Sequence, residues 1–108
     1  MEFIDNEEKI KIPSGLNYRS SQAVVRFAEA VAKKLRDAEI KYGYSDGWTF
    51  SDWEEKCRKE LMEHIVKGDP RDVAIYAMFM WHHGWSTSRP ARFQSSMGYD
   101  RDGAGPSA

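Results

Sequence analysis

Apolar residues fall at Val24, Phe27, Ala28, Val31, Leu35, Ala38 and Tyr42. This three-four spacing runs over five turns and draws one apolar stripe on a first helix. Ser20 or Ser21 can cap its start. Gly43 is placed to end it in a left-handed conformation. A second pattern begins at Ser51-Asp52-Trp53-Glu54, which matches a capping box, in which serine and glutamate satisfy each other's orphan backbone donors. Its core face is expected to hold Trp53, Cys57, Leu61 and Ile65, each four residues after the last. Lys67-Gly68 closes it. Asp69 then offers an N-cap and Pro70 takes the first helical position, where its missing N–H costs nothing. The third helix runs through Val73 to Trp81 and is apolar almost all round, so a central, buried helix is expected. His82-His83-Gly84 closes it.

The pattern fades at both ends. Residues 1–19 alternate loosely and meet the turn signal Pro13-Ser14-Gly15, so they read as an arm. Tyr44 to Trp48 is a loop. Residues 86–108 hold few apolar anchors and are expected to form a disordered tail. The expected architecture is an all-α, small helical bundle over 20–85. At its centre lies an antiparallel helical hairpin over 51–84, because a short turn makes its helices neighbours.

Composition narrows the classes. The 108 residues suit one domain. Its core is thin by surface-to-volume scaling, so a homo-oligomer is expected to complete the bundle. Lys+Arg number 16 and Asp+Glu 17, a net charge of -1. A protein holding nucleic acid by bulk electrostatics carries a basic field instead. Nucleic acid is therefore not an expected partner, and an accessory role through Arg89 and Arg92 of the tail is disfavoured. The one cysteine, Cys57, allows no internal disulfide and sits on the packed face as a small hydrophobe. The longest apolar run is nine residues, Val73 to Trp81, far short of a membrane span. The N-terminal residues carry Glu2, Asp5, Glu7 and Glu8 and show no signal-peptide pattern. No membrane partner and a cytoplasmic location are expected.

The candidate chemistry lies in the hairpin. Glu60 falls seven residues after Trp53, almost on the core stripe, and Glu63 follows on its flank. A carboxylate at an apolar interface needs a partner. Asp69 and Asp72 stand at the start of the third helix, near the same turn. Convergence of Glu60, Glu63, Asp69 and Asp72 gives an all-oxygen set, which selects magnesium or manganese over zinc. Plainer accounts exist for each. Lys56 and His64 flank Glu60 at helical spacing, Lys67 follows Glu63 by four, and acids at a helix start meet its dipole. His64, His82, His83 and Cys57 do not have zinc-ligand spacing. Phosphate-loop, dinucleotide and serine-elbow motifs are absent from the sequence.

The segment Phe27 to Trp85 resembles small phage-type members of the MazG-like all-α nucleoside triphosphate pyrophosphohydrolases. The residues that carry the resemblance are Glu60-Leu61-Met62-Glu63, then Asp69-Pro70-Arg71-Asp72, then the apolar run Val73-Ala74-Ile75-Tyr76-Ala77-Met78. Lys41-Tyr42-Gly43 and Gly47-Trp48 look like the lysine-glycine-tryptophan element that precedes the motif in such members. The resemblance implies magnesium held by Glu60, Glu63, Asp69 and Asp72, with Glu60 and Glu63 catalytic. It implies cleavage of a nucleotide between its α and β phosphates, and an oligomer. Lys41 is a candidate for phosphate contact and Trp48 for stacking a base. An alternative is a non-catalytic helical interaction module whose partner surface includes Trp81 and Trp85; the short turn and Asp69, where the family has glutamate, favour it.

Overall fold

The computed structural model describes residues 9–43 and 45–88. The ends 1–8 and 89–108, which include most of the expected tail, lie outside the described residues. Three helices and no strand occur among those described: α1 Tyr18–Tyr42, α2 Glu54–Lys67 and α3 Pro70–His83. A single 3-10 turn, Gly47–Thr49, precedes α2. The all-α expectation holds.

The chain divides into two compact units, Met1–Gly43 and Tyr44–Ala108. The first contains α1. This helix begins earlier than the serines suggested, because the side chain of Asn17 accepts from the Arg19 and Ser20 backbone N–H groups at 2.9 and 3.2 Å. Asn and Ser are comparable caps, and Ser21 instead donates its hydroxyl to the Tyr18 carbonyl from within the first turn. Gly43 has φ 90° and ψ 142°, positive in φ but extended in ψ, so it leaves the helix without the expected left-handed cap. No residue of α1 is buried.

The second unit is built on the α2–α3 hairpin. The capping box does not form. Trp53 takes the N-cap position with no side-chain capping bond, and α2 starts at Glu54. The indole N–H of Trp53 donates to the Trp48 carbonyl at 3.3 Å, and its ring lies against Phe79 and Trp85. Seating that large ring outweighs a local cap worth about 1 kcal/mol. Glu54 turns instead to Arg58, at 2.7 Å.

Along α2 the packed face runs Cys57, Leu61 and then His64 rather than Ile65, which is 49% exposed. A spacing of four overshoots the helical turn by roughly 40° at each step, so the stripe drifts off the face. Reaching back by three brings His64 into register. Gly68, at φ 97°, makes the left-handed C-cap, and its N–H meets the His64 carbonyl at 3.0 Å. A side chain at that φ is strained. Asp69 follows at once as the N-cap of α3, its Oδ1 accepting from the Arg71 N–H at 2.9 Å.

Ile75, Phe79 and Met80 of α3 are buried, but Trp81 is 82% exposed and Met78 also reaches solvent. The expected all-round burial fails because the described elements of this unit that pack against α3 are α2 and the 3-10 turn. Two neighbours cover one side of a helix.

Candidate functional site

An aromatic cluster fixes the α3 C-terminal end. Phe79 is its hub: Trp48 stacks on it at 5.2 Å, while Trp53 and Tyr76 meet it edge-on at 5.8 and 5.9 Å. His83 Nε2 lies 2.7 Å from the Trp48 carbonyl, and its ring stacks on Trp85 at 4.2 Å. His82 meets Trp48 edge-on. These bonds tie the loop before α2 to the end of α3. Trp48, the expected base-stacking residue, is half-buried within this cluster.

The α2 Arg58 side chain is only 11% exposed. It bonds Glu54 and Glu55, and it donates to the Ser86 carbonyl at 2.8 Å. Arg58 therefore pins the segment after α3 to α2. Nothing in the charge pattern alone marks this residue, because its acceptor is a backbone carbonyl 28 residues away.

The carboxylates divide. Glu60 on α2 and Asp72 on α3 both approach His64: Glu60 Oε1 lies 3.9 Å from Nε2, and Asp72 Oδ2 lies 3.8 Å from Nδ1. Their side chains keep 31% and 24% exposure, so each is partly desolvated yet reachable from solvent. The His64 ring stacks on Tyr76 at 4.9 Å and 22°. Burial, then the charges of Glu60, Cys57, Asp72 and Glu63, push the Tyr76 hydroxyl above its ordinary pKa. That phenol thus feels three of the four expected carboxylates. Glu63 itself is exposed. Asp69 is engaged elsewhere, as a helix cap and in a two-point pair with Arg71 at 2.8 and 3.1 Å. Cys57 is fully buried, as expected, and burial raises its thiol pKa; Arg58 opposes this and Glu60 adds to it. Lys41 belongs to the first unit, its ammonium 5.1 Å from the centre of the Tyr42 ring.

Does this arrangement suit a divalent cation? Among the described residues, no group of three or more His, Cys, Asp and Glu side chains comes together as a metal cage. The set of four implied by the resemblance is thus not assembled. Magnesium, however, usually takes one or two carboxylates and completes its shell with water and substrate phosphates. Glu60 and Asp72 approach different nitrogens of one imidazole, and the buried His64 Nδ1 has no hydrogen-bond partner. The sequence marks His64 as a helical neighbour of Glu60, as the structure has it, but not as a group on the packed face that also meets Asp72. Its spacing of seven from Cys57 was the available signal.

Among the described residues no helix is long and apolar enough to cross a membrane. Comparison with family models, with curated proteins and with solved structures finds no match for this chain.

Proposed function

We propose that this chain is a cytosolic, oligomeric nucleotide pyrophosphohydrolase of the small phage type, splitting a nucleoside triphosphate into its monophosphate and pyrophosphate with magnesium, or manganese in its place. The observation that carries the reading is the approach of Glu60 and Asp72, from two helices, to one imidazole. Glu60 and Asp72 are the residues that would hold the cation. A bound magnesium ion neutralises charge on a phosphate chain and lowers the cost of attack by water. Glu63, exposed and one turn from Glu60, is the carboxylate available to accept a proton from that water. Asp69 serves the reaction indirectly, by starting α3 so that Asp72 falls in its first turn.

The test is incubation with a panel of NTPs and dNTPs plus magnesium. Pyrophosphate release is expected with at least one of them, and its loss in Glu60→Gln. No release from any nucleotide refutes the reading.

A second reading is favoured by one feature. Trp81 is 82% exposed and Met78, one turn before it, is 38% exposed. An apolar strip on α3 suits a non-catalytic helical interaction module, since large exposed aromatics mark association surfaces. This reading expects no response of melting temperature to magnesium and weakened association in Trp81→Ser.

A further inference from the structure

We propose that α1 pairs with α1 of a second copy of this chain, the two helices running parallel as a coiled coil. The pairing names an interface for the oligomer of the function proposed above and uses none of its carboxylate chemistry. α1 is 25 residues long, yet none of them is buried. Val24, Phe27 and Tyr42 are 47, 45 and 77% exposed, and Ala28, Val31, Leu35 and Ala38 are half-buried. In proteins most helical stability comes from packing an apolar face rather than from propensity. The stripe on α1 therefore calls for a partner.

The spacing of the stripe says which kind. Ala28, Leu35 and Tyr42 fall at the a positions of a heptad repeat, and Val24, Val31 and Ala38 at the d positions. The repeat is kept for about three heptads, the short end of what argues for a coiled coil. Charge then sets the direction. Lys34 stands at a g position and Glu39 at the following e position. In a parallel pair each g residue lies beside the next e residue of the other helix, so Lys34 of either copy meets Glu39 of the other. Phe27 at g falls beside Ala32 at e in the same way, which extends the apolar seam. An antiparallel pair that seats the same stripe sets Lys34 against Lys34, and like charges there oppose it. The lysine ammonium has three donors, so the pairing does not need Lys34 to lack contacts within its own chain.

Sedimentation equilibrium of the full chain over a concentration series tests the pairing. The samples are wild type, Leu35→Asp, Lys34→Glu, Glu39→Lys and an equal mixture of the last two. Far-UV circular dichroism checks the helix content of each. The wild type is expected to associate, and Leu35→Asp to be monomeric, because a charge in the seam is costly to bury. Each charge variant alone sets like charges at both flanks. Its dissociation constant is expected to rise on the order of 10-fold, and the mixture, where every flanking pair is again opposite, to return near wild type. Val24→Cys reads the direction under mild oxidation. Parallel helices bring the two thiols together, whereas antiparallel ones hold them roughly 27 Å apart. Cys57 is fully buried, and peptide mapping assigns the bridge. A bridge through position 24 is expected. A monomeric wild type, association untouched by Leu35→Asp, a mixture no tighter than its components, or an associating chain with no bridge at position 24 each overturns the inference. Pyrophosphate release is read in its own assay, so the failure of the hydrolytic reading and the failure of the pairing are told apart.

Discussion

Replacing Phe79 by leucine tests whether the aromatic cluster, rather than apolar area alone, holds the loop before α2 onto α3. Phe79 is 7% exposed and its ring meets Trp48, Trp53 and Tyr76 with centroid distances of 5.2, 5.8 and 5.9 Å. An aromatic pair contributes about 0.5–1.5 kcal/mol beyond the area it buries. Three pairs sharing one ring are not additive, and Trp48 and Trp53 are half-buried. The expected loss for Phe79→Leu is therefore about 2 kcal/mol, against about 3–5 kcal/mol for Phe79→Ala, which also leaves a cavity. The assay is urea unfolding followed by tryptophan fluorescence. All four tryptophans lie in the second unit, so the signal reports on that unit alone. The denaturant slope should stay constant, so that a change in midpoint is a change in stability. A cost below about 0.5 kcal/mol for Phe79→Leu would show that the rings merely touch, with no contribution beyond buried area.

The two helix entries of the hairpin should respond unequally to alanine. Asp69→Ala is expected to lose about 0.5–2 kcal/mol with its cap, while Ser51→Ala, exposed and outside the helix, should stay within about 0.5 kcal/mol. Equal losses in thermal melts would reverse the assignment of the α2 start. Arg58→Met, which keeps the stem and removes the bonds to Glu54 and the Ser86 carbonyl, should cost about 1–2 kcal/mol. It should also speed amide exchange just after Gly84, and unchanged exchange there would refute the pinning role. The pH response has a definite sign. Cys57 and Tyr76 both have raised pKa values in the folded state, so that state keeps their protons longer than the unfolded chain does. Stability is then flat below the ordinary thiol value of 9.0 and falls as pH rises through it and through the tyrosine value of 10.0. Urea midpoints between neutral and alkaline pH measure this; a midpoint that holds steady into the alkaline range contradicts the burial of both groups.

Much of the hairpin was legible in the sequence for local reasons. Asp69-Pro70 starts a helix because a carboxylate can cap and proline fits the first position. Gly68 and Gly84 end α2 and α3 because only glycine takes a positive φ without strain. Cys57 was readable as buried from its place on the apolar stripe.

Tertiary packing decided the rest. Ser51 lost its cap to the seating of Trp53, a contact with Phe79 26 residues away that no local motif encodes. Ile65 yielded to His64 on the packed face, because real helices turn every 3.6 residues and not every four. Trp81 lies in an unbroken apolar run yet points to solvent, since the described part of the second unit offers neighbours on one side of α3 only. Glu60 and Asp72 were visible as acids near a turn. That they share one imidazole, while Asp69 turns to its own helix end, depended on how two helices pack, which spacing along one chain does not contain.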